Sequence, residues 1–284
     1  MKLEEYNLSK QKALVEEYPH APLKDQIALV TGGNSGIGEA CARHVAAAGA
    51  SVAINYVAAP ERAEAIAQEI VAAGGRAITA FADVSNEEQV LAMYDSVRSA
   101  FGTLDILIAN AGLQRDAPIE TMTVAQWDTV LNVNLKGEFL CAREAAKEFQ
   151  RRGPRLVSRA LGKIICMSSV HQLIPWARHV NYAAAKGGVL MLMQSLAQEL
   201  AGRRIRVNGI APGAIATPIN RAAWETPKAE AKLLDLIPYD RVGVPDDIGR
   251  AAVWLASDAS DYVVGSTLFV DGGMTTFESF STGG

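Results

Sequence analysis

Cysteine is scarce in this chain of 284 residues, which contains only Cys41, Cys141 and Cys166. None of the three belongs to a Cys-x-x-Cys pair or stands at metal-ligand spacing from a histidine. Structural zinc sites and disulfide frameworks depend on such patterns. The sequence therefore predicts free, buried thiols and no bound metal.

Long apolar runs and excess positive charge are also missing. No apolar run reaches the roughly 18 residues that a membrane span needs, and the first 22 residues are too charged for a secretory signal. The formal net charge is -4, and no dense stripe of lysine and arginine is present to follow a phosphate backbone. We therefore expect a cytoplasmic protein that binds neither membranes nor nucleic acid.

Apolar segments of strand length alternate with longer helical patterns from about residue 26 onward, as in repeated βαβ units. Several of these segments are apolar throughout, as strands covered by helices on both faces are. The pattern predicts an α/β domain over residues 26–284, built on a doubly wound (Rossmann) sheet of seven parallel strands, after an N-terminal arm over residues 1–25. The predicted strands are 27–31, 51–56, 76–82, 104–109, 163–167, 206–210 and 267–270. The predicted helices are 38–49, 60–74, 86–101, 124–151, 183–202 and 245–257, and the arm has an amphipathic part at 3–17.

A glycine-rich turn, TGGNSGIG, follows the first predicted strand. The missing Cβ atoms of Gly32, Gly36 and Gly38 allow a tight turn and close approach of a pyrophosphate, with helix N–H groups facing the anion. The same glycines also suit a turn that binds nothing. Ligands of open α/β sheets bind at the carboxyl ends of strands, so the position favours a dinucleotide site.

Polar or small residues follow the next five predicted strands as well. Because the carboxyl ends of parallel strands meet at one edge of a sheet, these loops predict one shared site. Asp83 fits either a contact with an adenine edge or a cap of the helix that follows. The residues concerned are Tyr56, Asp83, Val84, Asn110, Ala111, Gly112, Ser168, Ser169, Pro212 and Gly213.

Tyr182 and Lys186 stand four residues apart at the start of an apolar helix, so they project from one face. An ammonium group beside a phenol favours the phenolate, which can exchange a proton with an alcohol or carbonyl. Ser169 follows the fifth strand, from which a loop can bring both hydroxyls to one point. Asn134, inside the predicted helix 124–151, belongs to this constellation or is an ordinary polar helix residue.

The sequence resembles the short-chain dehydrogenase/reductase family over roughly residues 24–284. The motifs TGGNSGIG, IANAG, NVNLKG, SS…YAAAK, RVNGIAPGAIATP and FVDGG carry this resemblance, in the family's order and spacing. The resemblance implies a catalytic tetrad in which Tyr182 is the acid/base and Ser169 hydrogen-bonds the substrate oxygen. It further implies that Lys186 holds the nicotinamide ribose and favours the phenolate, while Asn134 anchors a water molecule of a proton relay.

A nicotinamide cofactor that carries the hydride follows from the same resemblance. The second strand ends without the acidic residue of NAD-preferring relatives and without the arginine of NADP-preferring ones. Asn34, Ser35 and Arg62 are the residues left that could bind the 2′-phosphate of NADP. We therefore expect NADP as the cofactor, and use of NAD stays open. The expected cofactor contacts are Gly32, Asn34, Ser35, Gly36, Ile37, Gly38, Tyr56, Asp83, Val84, Asn110, Ala111, Gly112, Tyr182, Lys186, Pro212, Gly213, Ile215 and Thr217.

For the substrate, SSVHQLIPWARHVNYAAAKGG and the segment after residue 267 most resemble bacterial glucose 1-dehydrogenases. This resemblance implies a small-molecule substrate, an aldose such as glucose, oxidised to the lactone. The expected substrate contacts are Ser169, Tyr182, His171 and Gln114, although His171 also fits a loop position without ligand. Gln114 and Ala216 replace Glu and Asn of those enzymes, so another polyol, a ketone or a 3-oxoacyl thioester stays open. A non-catalytic dinucleotide sensor is the alternative from another class.

The same resemblance predicts a flap over the site at residues 215–238, although the segment also fits a surface loop. The basic run 151–162 is expected to be a loop before the fifth strand. The predicted helices 124–151 and 183–202 are apolar around much of their circumference, which suits a subunit interface. We expect a homotetramer.

Overall fold

The computed structural model of the chain describes residues 3–276. Seven parallel strands form one sheet in the order β3-β2-β1-β4-β5-β6-β7. The direction of the strand order reverses between β1 and β4, as in doubly wound folds. The strands are β1 Ile27–Val30, β2 Ser51–Tyr56, β3 Arg76–Phe81, β4 Ile106–Ala109, β5 Gly162–Met167, β6 Ile205–Pro212 and β7 Thr267–Val270.

Helices cover both faces of this sheet, which confirms the predicted fold class. Strand β1 contributes to both layers, since Leu29 packs with one apolar cluster while Ala28 and Val30 pack with the other. Successive side chains of a strand point to opposite faces, so a strand covered on both faces is apolar throughout. The helices are α1 Leu3–Glu16, α2 Gly36–Ala47, α3 Pro60–Ala72, α4 Glu87–Phe101, α5 Val124–Leu131, α6 Gly137–Arg152, α7 Val180–Leu200, α8 Pro227–Leu234 and α9 Pro245–Ala256.

The helix predicted over 124–151 is interrupted, which corrects the sequence-based expectation. A π-helical turn at Asn132–Lys136 separates α5 from α6. At its centre, the Asn134 amide binds both backbone groups of Leu113 in the loop after β4. Turns of this kind are frequent at functional sites because they redirect a side chain within a helix.

The N-terminal helix α1 packs against α2 and α3. Gln11 donates a hydrogen bond to the backbone oxygen of Arg43 at 3.1 Å. Lys10 forms an ion pair with Asp246 at the start of α9, at 3.3 Å. The arm is thereby attached to the helical layer that also contains α9.

A network of charged side chains lies at the amino ends of the strands. The loops predicted to form the ligand site lie at the opposite edge of the sheet. Asp105, just before β4, accepts a hydrogen bond from the Ile27 N–H at 2.9 Å and pairs with Arg152 at 2.9 Å. Arg155, from the loop between α6 and β5, pairs with the same carboxylate. Burial lowers the pKa of Lys163, at the start of β5, to about 8. The basic run 151–162 thus ties α6 to this edge.

The structure also bears on membrane and metal binding within residues 3–276. No helix in that range combines the length and the apolar character that crossing a bilayer requires. Cys41, Cys141 and Cys166 are free and buried. The same range contains no group of three or more His, Cys, Asp or Glu side chains arranged to hold a metal ion.

Candidate active site

A cleft of about 1590 Å³ opens at the carboxyl ends of the strands, where the sequence predicts the ligand site. Loops that follow all seven strands line it, together with the start of α7. The structure therefore brings most of the predicted side chains together. The predicted residues that line the cleft are Gly32, Asn34, Ser35, Gly36, Ile37, Gly38, Asp83, Val84, Asn110, Ala111, Gly112, Gln114, Ser169, His171, Tyr182, Lys186, Pro212, Gly213, Ile215 and Thr217.

The glycine-rich turn has a backbone that only glycine adopts easily at two positions. Gly32 and Gly36 have φ angles of +58° and +51°. A Cβ atom on Gly38 would lie 2.0 Å from the backbone oxygen of Gly32, so this residue allows α2 to approach the turn. Ser35, at the N-cap of α2, makes no capping hydrogen bond with its side chain. The first N–H groups of the helix are therefore available to an anion in the cleft.

Asn110 fixes the neighbouring loop against this turn. Its side-chain amide donates to the backbone oxygen of Thr31 at 2.9 Å and to that of Gly32 at 3.2 Å. The Thr31 hydroxyl accepts from the N–H groups of Asn110 and Ala111 in return. Two of the predicted cofactor-binding loops thus form one connected surface.

Tyr56 does not line the cleft, contrary to the sequence-based expectation. Its ring packs edge-on against Phe81, with 5.8 Å between the ring centroids. The preceding residue, Asn55, lines the cleft instead and accepts a hydrogen bond from the Gly32 N–H at 3.0 Å. Side chains alternate along a strand, so a shift of one residue exchanges the two faces. The alternation in SVAINY was the signal that could have selected Asn55.

The part of the cleft near β2 and β3 holds Arg62 and Asp83. Arg62 pairs with Glu39 at 2.6 Å, and its side chain stays 40% exposed, so the guanidinium remains accessible. Asp83 accepts hydrogen bonds from the backbone and hydroxyl of Ser85. The cap of α4 is Asn86, so Asp83 shapes the turn before the helix without capping it.

Ser169, Tyr182 and Lys186 meet at the cleft. Lys186 is buried, and its ammonium donates to the backbone oxygen of Met167 at 2.6 Å. The Lys186 Nζ atom lies 5.7 Å from the centroid of the Tyr182 ring. Ser169 lies two residues after β5, and its hydroxyl oxygen accepts a hydrogen bond from the His171 N–H at 3.2 Å. The spacing predicted from sequence therefore places a phenol, a hydroxyl and an ammonium together.

Asn134 is fully buried and lies behind the cleft lining. Its amide accepts from the Leu113 N–H at 2.8 Å and donates to the Leu113 oxygen at 2.9 Å. Both ends of the side chain are therefore occupied in holding the loop that carries Gln114.

An aromatic stack that the sequence did not predict borders Tyr182. Trp176 lies between His171 and His179, with centroid distances of 4.1 Å and 3.5 Å. The rings of Trp176 and His171 both meet Tyr182 edge-on at 6.3 Å. Burial lowers the pKa of His171, which favours a neutral imidazole able to accept or donate a hydrogen bond.

Residues 215–238 form a short helical turn followed by α8, and part of this segment lines the cleft. Thr217 donates to the side chain of Asn220 at 2.8 Å, and Trp224 donates to the same oxygen at 3.1 Å. These two hydrogen bonds hold the two ends of the short helical turn to its central residue, Asn220. Ile219, Leu233 and other side chains of the segment line the cleft with apolar surface.

Comparison with known proteins extends over most of the chain. The family model described as Enoyl-(Acyl carrier protein) reductase matches residues 32–275. The 3beta-hydroxysteroid dehydrogenase 1 of Eggerthella lenta is 44% identical over 261 residues, which cover 92% of this chain and 98% of that protein. Glucose 1-dehydrogenase 2 of Bacillus subtilis is 39% identical over 260 residues, covering 90% of this chain and 97% of that protein.

Among solved structures, a gluconate 5-dehydrogenase from Burkholderia cenocepacia in complex with NADP and tartrate is similar to the chain. It superposes with a TM-score of 0.83 and is 37% identical, covering 91% of this chain and all of that one. Identity at this level, over nearly the full length of both chains, shows common ancestry as well as a common fold.

Proposed function

This chain belongs to the short-chain dehydrogenase/reductase family of NAD(P)-dependent oxidoreductases, and from that premise we propose that it oxidises an aldose such as glucose to the lactone with NADP. The observation that carries the proposal is the meeting of Ser169, Tyr182 and Lys186 in one cleft with a glycine-rich turn. An ammonium group beside a phenol favours the phenolate, which can accept the proton of an alcohol. The turn supplies the backbone for a dinucleotide.

The residues at the glycine-rich turn fit a nicotinamide dinucleotide. Gly32 and Gly36 are in left-handed conformations that open the backbone, and the N-terminus of α2 lacks a side-chain cap. Arg62 and Asn34 line the cleft near the end of β2, and β2 itself ends in Asn55 and Tyr56, without the acidic residue that would repel a 2′-phosphate. These features support NADP, which is also bound in the related gluconate 5-dehydrogenase.

The reaction assigns one task to each side chain. The nicotinamide, when bound, supplies the acceptor for the hydride. Tyr182 takes the hydroxyl proton of the substrate, and the Lys186 ammonium stabilises the phenolate. Lys186 has three N–H donors, of which Met167 uses one, so two remain for the cleft. The Ser169 oxygen accepts from His171, which leaves its own proton to donate to the substrate oxygen.

An aldose fits the aromatic stack and the polar groups beside Tyr182. The neutral imidazole of His171 and the amide of Gln114 line the cleft and can pair with sugar hydroxyls. Trp176 offers the edge of a flat apolar surface to the C–H groups of a pyranose ring. The similarity to glucose 1-dehydrogenase 2 also supports this substrate class.

Reduction of a ketone, such as a 3-oxoacyl thioester, is the second candidate. The observation that favours it is the apolar surface of the segment over the cleft, including Ile219, Leu233 and Leu236. A hydroxyl-rich substrate gains little from such surface, because its polar groups need partners. The presence of both Tyr182 and Lys186 argues against a non-catalytic sensor.

A substrate panel distinguishes these candidates. Purified protein is mixed with NADP or NAD and with aldoses, polyols and secondary alcohols, while the absorbance of the reduced cofactor is followed. We expect aldose-dependent reduction, with higher kcat/KM for NADP than for NAD. Consumption of NADPH with a 3-oxoacyl thioester, without turnover of any sugar, would show that the aldose assignment is wrong.

A further inference from the structure

Glu138 is a buried carboxyl group for which the reaction described above has no use. It is the second residue of α6, directly after the π-helical turn that contains Asn134, and it is 6% exposed. Its Oε1 atom is inaccessible and has no hydrogen-bond partner among the described residues. A buried carboxyl oxygen without a partner costs free energy, so its position calls for a reason other than stability.

The groups that face Glu138 come from three elements. Cys166 from β5 and the Lys186 ammonium from α7 both favour the ionised form of the carboxyl group. Cys141 lies one turn further along α6. Burial raises the pKa of both thiols, so neither ionises near neutral pH. Met167, which follows Cys166, accepts the hydrogen bond that holds Lys186.

The balance of these effects makes Glu138 titrate near neutral pH. Burial raises its pKa from the ordinary value of 4.5 to about 7, and Lys186 and Cys166 offset part of this rise. The carboxyl group is therefore mostly neutral below pH 7 and mostly ionised above it. A negative charge thus appears close to Lys186 as the pH increases.

We propose that Glu138 is a positioning residue that acts through Lys186 and sets how strongly the ammonium stabilises the Tyr182 phenolate. When Glu138 is neutral, the charge of Lys186 acts fully on the phenol. When Glu138 is ionised, it offsets part of that charge. The inference rests on the proposed function, because Lys186 and Tyr182 act together only in the proton-transfer step.

Substitution Glu138→Gln tests this role, since glutamine has nearly the same shape and stays neutral at every pH. The measurement is the pH dependence of kcat/KM for the oxidation. We expect the rising limb of the profile to move to lower pH by about half a unit to one unit, the scale of one charge at moderate distance within a protein. The shift arises because the variant never places a negative charge beside Lys186.

Glu148→Gln is the matched control. Glu148 is a buried glutamate on the same helix, but it pairs with Arg151 and accepts a hydrogen bond from Thr103 at the other end of the sheet. We expect its profile to match that of the unmodified protein. An unshifted profile for Glu138→Gln, or equal shifts in both variants, would overturn the proposal.

A second measurement does not depend on activity. Infrared spectroscopy of the protein without cofactor follows the C=O stretch of protonated carboxyl groups as the pH is raised. We expect a band that disappears around pH 7 and that Glu138→Gln lacks, while Glu148→Gln retains it. If no substrate is turned over, the proposed function fails while this band still reports on Glu138. If the band is missing from the unmodified protein, the inference fails whatever the activity.

Discussion

Tyr182 is half-buried at the start of α7, with its ring edge-on to two aromatic neighbours. These contacts orient the ring, so its hydroxyl has a defined direction before any ligand binds. The Lys186 ammonium is also oriented, because it donates a hydrogen bond to the backbone oxygen of Met167. A proton acceptor that is already oriented loses little entropy in the transition state.

Tyr182→Phe should separate proton transfer from ring packing, because phenylalanine keeps the ring and removes only the hydroxyl. We expect kcat to fall by about 10²-fold or more, the scale of a general acid/base contribution. Cofactor binding, measured by quenching of protein fluorescence, should persist. Tyr239→Phe, at an exposed tyrosine that does not line the cleft, is the control for the loss of a phenol. Near-full activity of Tyr182→Phe would remove Tyr182 from the mechanism.

Residues in motifs were easier to predict than residues placed by packing. Ser169 and Tyr182 could be predicted because a strand end and a helix start have fixed positions in a parallel sheet. At the end of β2 the sequence analysis selected Tyr56, whereas Asn55 is the residue that lines the cleft. The burial of Glu138 depends on how α6 packs against β5 and α7, which no local pattern shows.

The glycine-rich turn and the π-helical turn show how single elements position the site. Their sequence signals differ in strength. Gly32 and Gly36 mark a backbone with positive φ, so the turn was predictable. The π-helical turn is stabilised by Asn134 binding Leu113, a contact between residues 21 positions apart. Helical periodicity alone predicts one continuous helix there.

Gly38→Ala should disrupt the turn between β1 and α2. The added Cβ would lie 2.0 Å from the Gly32 oxygen and 2.5 Å from the Asn110 amide, and the backbone atom cannot give way without moving the turn. We expect a Kd for NADP at least about tenfold weaker, together with a lower Tm, because overpacking costs roughly 1–3 kcal/mol.

Gly202→Ala provides the control for this substitution. Nothing lies within 4 Å of the Cβ position at Gly202, so the same change of residue should leave both the Kd and the Tm nearly unchanged. Calorimetry with NADP gives the Kd, and thermal unfolding gives the Tm. Cofactor affinity that survives Gly38→Ala would contradict the assignment of this turn.

At the scale of the whole molecule, two sets of exposed apolar side chains lie on helices that suit subunit interfaces. Trp127, Phe139 and Met191 lie on α5, α6 and α7, whereas Trp254 and Tyr262 lie on and after α9. Two different two-fold interfaces on one chain generate a tetramer with three perpendicular axes. We therefore propose a homotetramer in which each set forms one interface.

Phe139→Arg tests this assembly, since a charge in the first interface should leave only the second. Light scattering should give four times the chain mass of 30.2 kDa for the unmodified protein and twice that mass for the variant. Leu156→Arg, at an exposed leucine in the loop before β5, should remain tetrameric. A monomeric unmodified protein would contradict the proposal.

The parallel, doubly wound sheet of seven strands could be predicted from the alternation of strands and helices, because neighbouring parallel strands need helical crossovers. The mildly acidic composition placed no constraint on how chains assemble. Interfaces depend on which apolar side chains remain exposed after folding, and this is known only once the fold is built.

The charged network around Asp105 and the cleft lie at opposite edges of the same sheet. The network connects the amino ends of the strands. The cleft lies at their carboxyl ends and is formed by loops, which do not determine the register of the strands. Substitutions in the cleft loops can therefore change substrate preference while the ion pairs around Asp105 stay intact. In a directed-evolution library confined to the cleft loops, we expect most variants to fold, because every variant retains these ion pairs.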